Sequence, residues 1–146
     1  METHTDEYYM KLALNEAMDA YESDEVPVGA IVVLEDKVIA RGHNLTETLK
    51  DVTAHAEMMS ITAAANGLGA KYLKNCTLYV TLEPCIMCAG AIMHSQLGRL
   101  VYGASDPKKG YTTLNVDFFP KNLKVEKGVL AEECSILLKN FFQDKR

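Results

Sequence analysis

The stretch Thr77-Leu-Tyr-Val-Thr-Leu-Glu-Pro-Cys-Ile-Met-Cys-Ala-Gly90 decides the fold. Thr77 to Thr81 is a β-type run, rich in branched and aromatic side chains. Pro84 then opens a helix that reads on to about Ser95, because proline suits a first helical turn. Leu100 to Tyr102 returns to a strand and is closed by Gly103. Strand, helix and strand in this order predict a parallel pair joined by a crossover helix.

Upstream, Asp6 to Tyr21 has Met10, Ala13, Leu14, Ala17 and Tyr21 at helical spacing, and Pro27-Val28-Gly29 breaks that pattern. Ala30 to Leu34, the turn Glu35-Asp36 and Lys37 to Ala40 read as a hairpin. His43 to Thr53 reads as polar loop, and Ala54 to Asn66 as a helix ended by Gly67 and Gly69. Downstream, residues 105–122 are irregular, Leu123 to Val125 is a short strand, and Ala131 to Phe142 is a last helix. A hairpin followed by strand–helix units predicts a three-layer α/β/α sandwich with a mixed central sheet. A chain of 146 residues without repeats or a long linker suits one domain, residues 1–146.

The same stretch carries chemistry. Cys85 and Cys88 lie three apart at a helix start, where free N–H groups and the positive dipole end favour thiolates. His55 begins the other helix. One imidazole and two thiolates make an open zinc site, with a fourth position left for water. Glu57, two residues from His55, projects differently and is free to move that water's protons. As a fourth ligand it would close the site. Cys-x-x-Cys after a strand also fits a thiol redox pair, but such a pair needs no upstream His-x-Glu. A closed structural zinc site needs another ligand, for which His94, Cys76 and Cys134 are the candidates. Core packing explains the two cysteines more simply. Met58, Met59, Met87 and Met93 read as core filler.

Apolar content of 48% and charged content of 24% are ordinary for a globular protein. No apolar run approaches the ~20 residues of a membrane span. The polar, acidic Met1 to Glu7 shows no secretory signal, so the expected compartment is a reducing cytoplasm with unpaired cysteines. Net charge is −5, but it is unevenly spread. Residues 1–36 carry ten acids and one base, whereas from Arg99 onward nine bases face six acids. A polyanion can therefore meet a locally basic face.

The motifs Glu25-Val-Pro-Val-Gly-Ala30, Gly42-His-Asn44, Thr53-Ala-His-Ala-Glu57, Thr81 to Gly90 and Tyr102-Gly-Ala-Ser-Asp106 resemble the bacterial tRNA-specific adenosine deaminases, within the cytidine deaminase-like superfamily. His-x-Glu followed by Pro-Cys-x-x-Cys is the signature of zinc deaminases. The resemblance runs from about Asp6 to Phe142, and the ending Phe141-Phe142 with Lys145-Arg146 is similar to that family's last helix, near the bound anticodon loop. It departs from the family at Val52, usually proline, at Gln96, often arginine, and through residues 110–121.

The resemblance implies hydrolytic conversion of the wobble adenosine of a tRNA anticodon to inosine, by a homodimer with one Zn²⁺ per chain. It implies His55, Cys85 and Cys88 as ligands and Glu57 as the catalytic proton carrier. Asn44 would bond the flipped base or its ribose, the backbone at Ala54 would read the base edge, Val28 would line the pocket, and Asp106 would hold the nucleotide backbone. Tyr111, Phe118 and Phe119 would either stack on unpaired bases or pack their loop onto the body. The rival reading is a free nucleobase or nucleoside deaminase acting on cytosine or guanine, which shares the zinc chemistry. A zinc-bound RNA-binding subunit without activity is a third reading, which the presence of Glu57 disfavours.

Overall fold

A computed structural model describes residues 4–145. Arg146 of the expected basic ending and residues 1–3 of the acidic start lie outside the described residues. Helix α1 spans Asp6–Glu22, with Thr5 capping it by accepting from the Tyr8 N–H. Strands β1 (Gly29–Leu34) and β2 (Lys37–His43) form the hairpin. Glu35 and Asp36 both adopt the left-handed backbone that a tight two-residue hairpin turn demands. Next come the single-turn helix α2 (Thr46–Leu49), α3 (Ala56–Leu68), β3 (Cys76–Leu82) and α4 (Ile86–His94). Strand β4 (Arg99–Ala104), a 3₁₀ turn at Tyr111–Leu114, β5 (Lys124–Lys127) and α5 (Ala131–Asp144) complete the chain.

The five strands make one mixed sheet in the order β2-β1-β3-β4-β5. β1 pairs antiparallel with β2 and β3, while β3–β4 and β4–β5 are parallel, as the strand–helix–strand reading requires. Along β1, β3 and β4 successive residues alternate between two apolar clusters. Ala30, Val32, Leu78, Val80, Leu100 and Tyr102 join one face with Ala56 and Ala64 of α3 and Ala89 and Ile92 of α4. Ile31, Val33, Tyr79 and Val101 join the other with Met10 and Ala13 of α1 and Cys134 of α5. Both faces are apolar because both are covered by helices, which is the three-layer sandwich expected from the sequence. α1 lies so close to β1 that a Cβ on Gly29 would fall 2.1 Å from the Ala13 carbonyl oxygen.

Several boundaries differ from the sequence reading. β2 runs to His43, because Gly42 and His43 still pair with Ala30 and Gly29. The segment read as polar loop contains α2. α3 begins at Ala56 and continues through Gly67, with Gly69 in the left-handed conformation as its cap. α4 begins at Ile86, so Pro84 precedes the helix and Cys85 is its N-cap. Met58, Met59, Met87 and Met93 are not core filler. All four are half-buried and none belongs to either core cluster, although the Met59 Cβ faces Gly42 of β2. Val52, where the family usually has proline, is 85% exposed, and Gln96 ends α4 in a left-handed turn at the surface.

The start of α1 is tied to the sheet by Asp6. Its carboxylate accepts from both terminal guanidinium nitrogens of Arg99 at 2.8 and 2.7 Å and from the Tyr79 hydroxyl at 2.8 Å. The Arg99 contact is the main reason its carboxyl stays below the usual range. Because the folded state depresses this acid, its stabilisation is present above about pH 4 and is lost as pH falls through the folded value. Asp6→Asn is expected to cost about 1–2 kcal/mol at pH 7, tempered by partial exposure. Urea melts should show the gap between parent and variant narrowing below about pH 4; a gap that is constant with pH would refute this account.

Candidate active site

His55 is the N-cap of α3 and Cys85 is the N-cap of α4, both with extended backbone. Cys88 is three residues further along α4 and is buried. The two helix starts point at each other and bring the three side chains together. The His55 Nδ1 lies 3.6 Å from the Cys85 Sγ and 3.5 Å from the Cys88 Sγ. Zinc bonds of ~2.05 Å to nitrogen and ~2.3 Å to sulfur at tetrahedral angles require an N···S separation of about 3.6 Å. The donor set and its spacing therefore fit a tetrahedral zinc with one position open. His94 is exposed, while Cys76 and Cys134 are buried in core clusters away from the three donors, so the alternative fourth ligands do not join them.

The local electrostatics favour a thiolate at one of the two sulfurs. The contact with Cys88, then that with the imidazole, holds the Cys85 thiol down at about 3. The same contact and burial push Cys88 up, while Cys85 raises His55. Glu57 is on the first turn of α3, 4% exposed, and stays outside the three-donor group. Burial pushes its carboxyl up to about 7. A group with that value both accepts and releases a proton at neutral pH.

His55, Glu57 and Cys85 line a cleft of about 880 Å³, and Cys88 is fully buried beside them. Val26, Val28 and Leu82 give it apolar surface, and Asn44, Asp106, Lys108 and Lys109 bring polar groups. The Asn44 Oδ1 accepts from the Ala56 N–H at 2.8 Å. That bond caps α3 and leaves the Asn44 NH₂ to donate. Ala54 is buried and does not line the cleft. Its N–H donates to the Asp51 carbonyl and its carbonyl accepts from the Leu45 N–H. Asp106 accepts from the backbone of Lys108 and Lys109 at 3.2 and 3.0 Å, closing a turn on the cleft rim. Phe142 of α5 lines the same cleft. Tyr111, Phe118 and Phe119 pack on one another and on the main core cluster, which is the second of the two roles expected for them.

Two buried carboxylates escape the sequence reading as separate features. Glu25 is 1% exposed, and its oxygens accept from the backbone of Glu47 and Thr48 and from the hydroxyls of Thr46 and Thr48. Glu83 is 3% exposed and bonds the 106–112 segment. Each stands in a quoted motif with a proline one or two residues on, but its partners are more than twenty residues distant.

A family model described as MafB19-like deaminase matches residues 4–146. The chain is 48% identical over 146 residues to a tRNA-specific adenosine deaminase of Bacillus subtilis (strain 168), spanning 97% of this chain and 91% of that protein. It is 47% identical to a tRNA-specific adenosine deaminase of Agrobacterium fabrum, spanning 95% of each. A solved structure, from work on A-to-I editing by tRNA:A34 deaminases at the wobble position of transfer RNA, aligns with a TM-score of 0.84 at 45% identity, over 90% of this chain and 99% of that one.

Metal analysis should find about one zinc per chain bound to His55, Cys85 and Cys88. Cys88→Ala should lose it, and with it on the order of 3 kcal/mol of stability, since binding to the folded state alone adds that much at a hundredfold excess over Kd. A folded, active protein that stays metal-free in zinc-containing buffer would sink the assignment.

Proposed function

This chain belongs to the tRNA-specific adenosine deaminase family, and from that membership we propose that it converts the wobble adenosine of a tRNA anticodon to inosine by zinc-dependent hydrolysis. The observation that carries the reading is the His55–Cys85–Cys88 donor triangle with Glu57 buried beside it in the cleft. Zinc bound there supplies Lewis acidity and lowers the pKa of water toward ~7. The residues of the chain do the rest. Val26, Val28 and Leu82 pack against the flipped adenine, and the Asn44 NH₂ donates to the base or ribose. Ala54 does not line this pocket; its N–H is engaged with the Asp51 carbonyl and its own carbonyl accepts one bond, from the Leu45 N–H.

Glu57 carries the protons. It takes one from the water as the oxygen bonds C6, and delivers it to N1. It then takes the remaining proton from the new C6 hydroxyl and gives it to the exocyclic amine as the C6–N bond breaks, so that ammonia leaves and C6 keeps the oxygen as a carbonyl. A carboxyl held near neutrality by burial is suited to both directions of transfer. Lys108 and Lys109 on the cleft rim supply positive charge for the phosphates of the anticodon stem-loop, with Asp106 fixing their turn. Lys145, on the expected RNA face, is paired with Asp24, so its charge is offset.

We read residues 1–146 as one deaminase domain acting as a homodimer in the cytoplasm, where cell fractionation should find it with the tRNA. Ile86, Gly90 and Met93 recur on one side of α4, and Ile86 is 48% exposed there. A Cβ on Gly90 would meet nothing, so that side is open to a second copy. Sedimentation at micromolar concentration should give about twice the 16.2 kDa chain mass, and Met93→Glu should shift it toward one. A parent sedimenting as monomer with full activity would contradict the dimer.

The substrate is tested with an anticodon stem-loop bearing adenosine at the wobble position, beside free cytosine, guanine and adenosine. Inosine should appear in the RNA alone. Glu57→Ala should keep zinc and lose ~10²-fold or more of the rate. Neutralising Lys108 and Lys109 together should weaken RNA binding and flatten the log–log salt dependence by about 0.7 for each phosphate no longer neutralised. Turnover of guanine or cytosine with the RNA untouched would transfer the protein to the free-base reading.

A further inference from the structure

Glu83 is not among the three metal donors, yet its carboxylate is buried two residues before Cys85. Its Oε1 accepts from the Asp106 N–H at 3.0 Å, and its Oε2 accepts from the Thr112 N–H at 3.0 Å and the Thr112 hydroxyl at 2.7 Å. One side chain thus grips both ends of the segment that carries Asp106, Lys108 and Lys109. The middle of the segment is pressed onto the same carboxylate. Gly110 bridges to Cys85, the Tyr111 N–H donates to the Pro84 carbonyl at 2.9 Å, and a Cβ on Gly110 would lie 2.0 Å from the Glu83 Oε2. Only a residue without a side chain lets the loop descend this far.

We propose that Glu83 is a positioning residue for RNA binding, which fixes the height of the 106–112 loop, and so of Lys108 and Lys109, relative to Cys85. This rests on the RNA reading given above. All three groups that meet the carboxylate are donors, so both of its oxygens must accept. An amide has one acceptor oxygen and one NH₂. In Glu83→Gln, either Asp106 or Thr112 therefore faces a donor, and that end of the loop is released.

The test uses the full zinc-loaded chain. Glu83→Gln should retain about one zinc and a kcat within about twofold of the parent, because neither the ligands nor Glu57 is altered. Its KM for the anticodon stem-loop should rise about tenfold, the consequence of one buried donor left unpaired. Trypsin should cut after Lys108 and Lys109 several times faster, read by mass spectrometry, because the loop that holds them is freed. Thr112→Val removes the hydroxyl donor from the loop side and leaves the sequence beside Cys85 intact. It should move both readouts about threefold in the same direction, and it carries the test if Glu83→Gln does not fold. Unchanged cleavage, or faster cleavage with unchanged KM, overturns the proposal. If the parent does not act on the stem-loop at all, the RNA reading fails, and the cleavage rates alone decide whether Glu83 holds the loop.

Discussion

The structure depends on one meeting: an imidazole nitrogen and two sulfurs, delivered by two separate helix starts, converge so that the nitrogen lies within 3.6 Å of each sulfur. Neither helix can do this alone. His55 must be set by the seat of α3 on β2 and β1, and Cys85 by the end of β3. At Gly42 of β2 a Cβ would fall 2.9 Å from the Ala56 carbonyl oxygen, so the small residue lets α3 approach at the turn that carries the imidazole. The antiparallel register of β1 against β3 then fixes where the other ligands begin, with Ala30 opposite Val80 and Leu34 opposite Cys76. Sheet register and helix seating act together as a constraint on ligand distance.

Around that point three glutamates share nearly complete burial and differ in their surroundings. Burial opposes ionisation of Glu25, but donors from Thr48, Glu47 and Thr46 outweigh it and hold its carboxyl below the usual range. Glu57 has no comparable set of donors, so burial dominates and lifts it to about 7. The contrast separates scaffold from chemistry. A carboxylate surrounded by backbone N–H groups is fixed in charge and in place, and it staples a rim of the cleft. A carboxyl that burial leaves poised can exchange protons.

The strands and the candidate metal donors are legible in the sequence because both are local. Alternation along Ala30–Leu34 and Thr77–Thr81 is a period-two signal, and His-x-Glu with Cys-x-x-Cys is a short-range ligand pattern. What the sequence hides depends on distance. Cys85 reads as first-turn helix from the proline before it, but the chain is still extended there because Gly110 pairs with it from twenty-five residues away. Residues 105–122 look irregular, since their order comes from Glu83 and from an aromatic cluster rather than from local propensity. The four methionines mislead because apolar composition does not say how deeply a helix position packs, and all four stay half-buried outside the core clusters.

Charge distribution shows how an acidic chain can hold a polyanion. The acidic first third and the basic last third do not simply lie apart; they pair across the fold. Arg99 binds Asp6, and Lys145 binds Asp24. These contacts use part of the apparent basic excess to join the start of α1 to β4 and the turn after α1 to the cap of α5. Lys108 and Lys109 are different, because their backbone is held by Asp106 while their side chains line the cleft. Their charge is therefore directed by a turn rather than neutralised by a partner from the acidic segment. Since exposed charges beyond ~8–10 Å are largely screened at physiological salt, two lysines at the cleft weigh more for a docking phosphate than the net −5 of the whole chain. On the proposed RNA reading, the loop that aims them is as much a part of recognition as the charges themselves.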